Sequence, residues 1–187
     1  MFRRLLLTFA FFLAALGSAF GDVIEARNVA VKQNEGGLVV NADFRLELSA
    51  RLEEALNHGV SLHFVVEFEL VRPRWYWFDE KTASERRVLR LFYHPLSRQY
   101  RLSRGALYQN FATLDEALRT MATVRDWAVV ERESLTPGAG YLASLRMRLD
   151  TGQLPKPFQV SALIDREWTL ASEWKRVVFT AAEGPAR

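Results

Sequence analysis

The sequence contains no cysteine, and this absence limits both the structure and the chemistry of the protein. Without cysteine there are no disulfide bonds, so the domain must depend on its packed core for stability. A catalytic thiol is excluded, and so is a lipoprotein anchor, because the lipid of a lipoprotein is attached to a cysteine. Long apolar runs are also scarce, since no stretch beyond the first 21 residues is apolar enough to span a bilayer.

Histidine is rare as well, with only three in the chain, at His58, His63 and His94. We interpret the first as a helix cap, the second as an exposed strand residue and the third as a turn residue. They show no HxH, HxxxH or HxxE spacing, so the sequence predicts no metal site.

Signatures of catalysis and of cofactor binding are missing too. No serine lies in a glycine-flanked elbow, and the PGAG turn at 137–140 lacks the lysine and the helix of a phosphate-binding loop. Glu67 and Glu69 share one face of a predicted strand, a geometry that a glycosidase could use, but alternating acids are typical of the solvent face of any sheet. We therefore predict no catalytic residue and no cofactor, and a carboxylate-based hydrolase is only the third functional hypothesis.

The N-terminal segment, residues 1–21, has the layout of a secretory signal peptide. Two arginines precede a short apolar run, and small residues follow it. Cleavage is predicted after Gly21, with Ala19 as the second choice. An uncleaved anchor helix is the alternative, although the apolar run is shorter than the ~18 to 20 residues needed to span a bilayer. We expect a periplasmic protein that is peripheral to the membrane at most.

Removal of this segment leaves a domain that is close to neutral. The segment carries two of the 25 basic residues and none of the 22 acidic ones, which leaves 23 against 22 and a net charge of +1. High affinity for nucleic acid requires a protein to neutralise many phosphates at once. Nucleic acid is therefore not an expected partner of this nearly neutral domain.

Apolar residues recur at every second position in three segments, 38–48, 60–71 and 141–150. This period is typical of half-buried antiparallel strands. Segments 158–164 and 167–174 are interpreted as further strands, with Trp168 and Trp174 as plugs at the sheet edge. One-sided strands must bury their dry faces against a second layer. The sequence therefore predicts a mainly β protein, an antiparallel β-sandwich of immunoglobulin-like general architecture, as one domain over residues 22–180.

Two short helices are predicted to cover the sheets, near residues 50–58 and 114–125. Ser49 is a suitable N-cap for the first, and Thr113 and Glu116 have the capping-box spacing for the second. Residues 181–187, AAEGPAR, are expected to form a flexible tail.

The stretch RPRWYWFDEKT at residues 72–82 is the strongest candidate for a contact surface. Its structural interpretation is a hairpin whose bulky side chains close one end of the sandwich. Its functional interpretation is an aromatic platform for a partner protein or an amphipathic ligand. The residues of this platform are Arg72, Arg74, Trp75, Tyr76, Trp77, Phe78 and Arg87.

Several segments taken in order resemble an uncharacterised family of exported proteobacterial proteins, the domain of unknown function 4390. They are the signal peptide, EALNHGVSLHFVVEFEL, RPRWYW, the TLDEAL helix and LPKPFQVSALIDREWTLASEW. Genes of that family often stand beside one for a membrane sensor histidine kinase of the nitrogen-regulation type, so the resemblance implies a periplasmic accessory role. It implies no activity and no catalytic residues.

The leading hypothesis is therefore a non-enzymatic periplasmic binding or accessory module that contacts a membrane-bound envelope protein, such as a sensor kinase. The alternative is a carrier of a lipid or another apolar molecule held between the sheets or under a helix.

Overall fold

The structure, a computed structural model, describes residues 24–74, 76 and 79–182, with only the backbone of Arg166. The segment predicted as a signal peptide lies outside these residues. The described chain contains nine strands, β1 (Glu25–Asn34), β2 (Gly37–Arg45), β3 (Leu62–Arg72), β4 (Glu80–His94), β5 (Gln99–Arg104), β6 (Leu107–Phe111), β7 (Thr123–Glu131), β8 (Gly140–Leu149) and β9 (Lys175–Thr180). It also contains three helices, α1 (Ala50–Asn57), α2 (Leu114–Met121) and α3 (Lys156–Ile164).

The strands form two antiparallel sheets of unequal width. The smaller has the order β1-β2-β7, and the larger has the order β6-β5-β4-β3-β8-β9. The sheets pack face to face, and Phe68 of the larger sheet meets Trp127 of the smaller one edge to face, with ring centroids 6.5 Å apart. The prediction of a mainly β, antiparallel sandwich is thus confirmed.

The core follows from the two-residue period of the strands. On β3, the residues Leu62, Phe64, Val66, Phe68 and Leu70 are all buried on the face that meets the smaller sheet. Burying one such side chain contributes about 1.5–3 kcal/mol, so a row of five on one strand is a large share of the driving force. The buried apolar residues of both sheets and of the helices belong to one cluster.

The two predicted helices are present, with the predicted caps. The hydroxyl of Ser49 accepts a hydrogen bond from the Leu52 backbone at 3.1 Å, and that of Thr113 accepts one from Glu116 at 3.3 Å. The second helix ends at Met121, short of the predicted residue 125, because β7 begins at Thr123 and pairs with β2. No helix in the described parts of the chain combines the length and the apolar character that a membrane crossing requires.

A third helix, α3, was missed, because the prediction of a strand at 158–164 is wrong. Pro157 stands in the first turn of α3, where backbone N–H groups have no acceptor within the helix, so a proline there loses no hydrogen bond. Phe158 packs on Trp168 with ring centroids 5.0 Å apart, but Val160, Leu163 and Ile164 remain exposed. Most of the apolar residues whose alternation predicted a strand thus lie on the solvent-exposed side of α3.

The closing strand predicted at 167–174 also needs correction. Residues Arg166–Trp168 form a 3-10 turn, and the chain then bonds to β8 through Leu170 and Ser172 before β9 starts at Lys175. The strand β6 was not predicted. At the other end, Ala181 and Ala182 of the predicted tail are hydrogen-bonded to the body of the domain, and residues 183–187 lie outside the described residues.

Gly37 is the position where the first hairpin tolerates no side chain. Its φ is +134°, and a Cβ there would lie 2.0 Å from the carbonyl oxygen of Val130 on β7. Gly36, next to it, has no positive φ of this kind, and a Cβ there would meet only the Asn34 side chain at 3.6 Å.

Gly37→Ala is therefore expected to lower the free energy of unfolding by about 2 kcal/mol or more, because both backbone strain and a clash with a main-chain oxygen oppose it. The matched control Gly36→Ala should change it by less than ~1 kcal/mol. Urea denaturation of the two variants measures the difference, and equal effects would contradict the described contact between β2 and β7.

Candidate functional site

The tip of the β3–β4 hairpin carries the predicted aromatic platform, and Trp75, Trp77 and Phe78 lie outside the described residues. Tyr76 is 69% exposed. The platform thus stays a prediction in its aromatic part.

The two arginines at this tip lie on its rim. Arg72 donates a hydrogen bond to the Thr136 hydroxyl at 3.4 Å, and Arg74 forms an ion pair with Glu80. Both cations are thus bound by polar groups of the domain.

Arg87 does not join this group. Arg87 stands seven residues after Glu80 on β4, a distance of roughly 23 Å along a strand. Its partner on β3 is Val66. Directly opposed residues of an antiparallel pair share a face, so Arg87 lies with Val66 on the inner face of the larger sheet. The structure therefore separates Arg87 from Arg72 and Arg74.

Arg87 instead lines a cleft of about 300 Å³ at the border between the smaller sheet and α2. The main side chains of its walls come from β4, β5, α2 and β7: Arg87, Leu89, Leu102, Arg104, Met121 and Val124. The cleft exists because β7 is the last strand of the smaller sheet, and helix α2 covers β5 and β6 beyond it.

Two arginines face this cleft without a carboxylate. The guanidinium of Arg87 lies 4.7 Å from the centroid of the Trp127 ring. Within the described residues, neither Arg87 nor Arg104 has an acidic group within 4.0 Å. Burial lowers the pKa of Arg87, and the charge of Arg104 lowers it further. The cleft therefore has two cations without a directly paired acid, and Glu85 stands two positions from Arg87 on the same face of β4.

The outer face of the larger sheet, which points away from the smaller sheet, is rich in arginine. The strand register places six arginines on this arginine face: Arg86, Arg90, Arg101, Arg146, Arg148 and Arg176. The acidic residues of β3 on the same face are Glu67 and Glu69. Positive charge is thus concentrated on one side of a nearly neutral domain.

Glu67 lies at the centre of the arginine face and is only 5% exposed. Its cross-strand neighbours are Arg86 on one side and Arg146 on the other. The carboxylate accepts hydrogen bonds from Arg146 Nε at 2.6 Å and from Arg148 Nη2 at 3.2 Å, and Arg86 Nε lies at 3.5 Å. One carboxylate thus holds three guanidinium groups in place.

Burial by itself raises the pKa of Glu67, but the hydrogen bonds and charges of Arg148 and Arg146 outweigh it, so the pKa is lowered from its ordinary value of 4.5. The hydrogen bond to Glu67 likewise raises the pKa of Arg148. Trp174 completes the arrangement, because the Arg146 guanidinium lies 4.4 Å from the centroid of its ring.

The pair Glu67 and Glu69 does not have the environment of two catalytic acids. Both lie on the outer face, as predicted, but Glu67 is buried among arginines while Glu69 is bound to Lys81 at 2.8 Å. A carboxyl group that is held charged is poorly suited to act as a general acid. The face of Glu67 was predicted correctly from the sequence, but its burial was not.

Metal ligands do not converge in the described part of the chain, where no group of three His, Asp or Glu side chains could hold an ion. His58 caps α1, and His94 accepts a hydrogen bond from the Ser97 backbone at 3.3 Å. His63 is half-buried rather than exposed, and burial, followed by the charge of Arg90, lowers its pKa.

Replacing Glu67 with glutamine should lower the free energy of unfolding by about 1–3 kcal/mol, because three clustered arginines lose their common counter-charge while the side chain keeps its size. Breaking a fully buried ion pair costs more than this, but the arginines around Glu67 are partly exposed, and solvent weakens their interaction with the carboxylate. Glu69→Gln, the matched control on the same strand and face, should cost less than ~1 kcal/mol. Chemical denaturation at pH 7 measures both.

The same variant has a pH signature. Because the folded-state pKa of Glu67 lies below its unfolded value, its contribution is complete above about pH 5 and is lost as the pH falls through the folded-state pKa. The difference in stability between the unmodified protein and Glu67→Gln should therefore shrink in acid. A difference that stays constant down to pH 3 would show that Glu67 is not bound as an anion.

Comparison with known proteins identifies a family but no characterised relative. The model of the domain of unknown function DUF4390 matches residues 21–178. No curated protein and no solved structure matches the chain significantly. The match covers every strand and helix of the described fold except the last residues of β9. The chain therefore belongs to the family defined by the domain of unknown function DUF4390.

Proposed function

We propose that the protein is a non-enzymatic binding module of the periplasm that contacts a membrane-bound envelope protein through the arginine face. The observation that carries this proposal is the concentration of six arginines on one face of the larger sheet, three of them around the buried Glu67. Such a face suits an acidic patch on a partner protein.

The charge distribution supports a directed contact. The domain without residues 1–21 has a net charge of only +1, so the positive arginine face must be balanced by acidic residues elsewhere. An asymmetric charge of this kind orients two proteins as they approach each other, and it rejects partners with a basic surface.

The arginine face is also held in shape before any partner arrives. Glu67 fixes Arg146 and Arg148, and Trp174 stacks on Arg146. Side chains that are already ordered lose less conformational entropy on binding. Arginine is also enriched at protein interfaces, where its planar group can pair with carboxylates through two hydrogen bonds.

Apolar residues between the arginines add contact area. Val88 on β4 is 50% exposed, and Val178 on β9 is 79% exposed. The strand register places both on the arginine face. A mixture of exposed apolar groups and ordered cations is typical of the core and rim of a protein interface.

The arginine face ends near the β3–β4 hairpin, which carries Arg72 and Arg74. Val71 is the last outer-face residue of β3 before the hairpin tip, and it pairs with Leu142, which pairs with Val178. We propose that Arg72, Arg74 and the aromatic residues 75–78 extend the contact surface at this end. Arg87 is not part of it.

Photocrosslinking in the native host tests the proposal. A photoreactive amino acid in place of Val88 should give one discrete adduct with a membrane protein, while the same group in place of Leu96, in the exposed turn after β4, should not. Arg90→Glu together with Arg176→Glu should abolish the adduct, because neither arginine is bound to a carboxylate in the fold and both changes reverse the charge of the face.

The control is Lys32→Glu with Arg132→Glu, which makes the same change in net charge at exposed positions outside this face. It should leave the adduct intact. An adduct from Leu163 on α3, and none from Val88, would place the contact on the exposed apolar side of α3 and contradict the proposal. Binding of the purified protein to protein-free vesicles of anionic phospholipid, if it is as tight as binding to membranes that contain the partner, would also contradict the proposal. The face would then recognise lipid.

The alternative function, a carrier of an apolar molecule, is favoured by a different observation. This is the cleft beside Arg87 and Arg104, which lies on the opposite face of the larger sheet from the proposed protein contact.

A further inference from the structure

We propose that the cleft beside Arg87 and Arg104 is a binding site for a small amphipathic carboxylate, with the acid group on the two arginines and an aliphatic chain against the apolar walls. This inference does not depend on the contact made by the arginine face, because the two surfaces lie on opposite sides of β4.

The charge of the site selects an anion. Arg87 and Arg104 line the same cleft from neighbouring strands, and the described residues that line it include no acidic side chain. Two like charges that stay close without a counter-ion repel each other, so an anion placed between them relieves that repulsion. Guanidinium groups bind carboxylates through paired, charge-assisted hydrogen bonds.

Part of the lining is apolar and can receive an aliphatic chain, while glutamine and threonine side chains add polar groups. Leu89 and Leu102 rise from the sheet, and Met121 and Val124 face them from α2 and β7. A thioether side chain adapts its shape to an aliphatic ligand, and burying each CH₂ group against such walls contributes about 0.8 kcal/mol in water-to-apolar transfer. An inorganic anion would leave these walls without a partner.

The size of the cleft limits the ligand. A volume of about 300 Å³ corresponds to roughly ten water molecules of about 30 Å³ each, so the ligand has on the order of ten non-hydrogen atoms. A medium-chain fatty acid such as octanoate has this size and charge. A complete phospholipid with two acyl chains is far too large.

The entrance of the cleft lies at the free edge of the larger sheet. Leu107 on β6 is 68% exposed, and it lines the cleft together with Gln109. Because β6 is an edge strand, a ligand can enter there without separating paired strands.

Isothermal titration calorimetry with octanoate tests the proposal, using protein purified after expression of the full-length chain. Octanoate is expected to bind one site at low millimolar concentrations or below. Acetate has the acid group without the chain, and octanol has the chain without the charge, so each should bind at least about tenfold more weakly.

The variants separate the site from the rest of the surface. Arg104→Gln and Arg87→Gln should each weaken octanoate binding by about tenfold or more. Arg86→Gln, which removes the same charge from the adjacent residue on the opposite face of β4, should leave it unchanged. Leu107→Trp fills the entrance without altering charge, and it should weaken octanoate and octanol alike.

Three results would overturn the inference: no saturable octanoate binding to the unmodified protein, equal loss in Arg86→Gln and Arg104→Gln, or octanol binding as tightly as octanoate. Circular dichroism of each variant shows whether the fold is intact. Arg104 is exposed, so its replacement keeps the test decisive even if Arg87→Gln, which also contacts Trp127, unfolds the domain.

Discussion

The unequal width of the two sheets governs the rest of this structure, since three strands must cover the inner face of six. The smaller sheet reaches β4, β8 and β9 from its two edges, and α2 covers β5 and β6 beyond it. Two elements of different shape meet above β4, and the cleft with Arg87 and Arg104 lies along that border. The outer face of the larger sheet points away from the smaller sheet, and it carries the arginines of the proposed partner contact.

The outer face combines a buried acid with exposed cations, and the two are linked energetically. Removing the Glu67 carboxylate from water is unfavourable, and the hydrogen bonds and charges of Arg146 and Arg148 offset that cost. Replacing such a cluster with apolar residues is often neutral for the stability of a protein. A contribution to folding stability therefore does not by itself explain why the cluster is present. The ordered guanidinium groups of Arg146 and Arg148 belong instead to the surface for which we propose an acidic partner. The proposed protein contact and the proposed ligand site would thus use arginine in two ways, bound to an acid on one face of β4 and without a directly paired acid on the other.

The sequence predicted those parts of the fold that depend on local period and capping. The alternation in β2, β3 and β8 and the caps Ser49 and Thr113 each specify an element without its neighbours. The helix α3 was missed because its apolar residues alternate over a few positions, and because its exposed apolar stripe is too short to distinguish a helix from a strand. The roles of Arg86 and Arg87 could not be assigned from sequence, because a one-residue change of register exchanges the two faces. Likewise, the burial of Glu67 depends on which residues of β4 and β8 stand opposite it.

The pairing of β3 with β4 and β8 is the central claim, because it places Glu67 among the arginines and Arg87 on the opposite face. The most direct test is the titration of the Glu67 carboxyl carbon by nuclear magnetic resonance, with Glu69 as an internal comparison. The pKa of Glu67 is expected to lie below its ordinary value of 4.5, because Arg146 and Arg148 stabilise the charged form. A pKa at or above that value would show that the carboxylate lacks these partners, and it would contradict both the register and the surfaces derived from it.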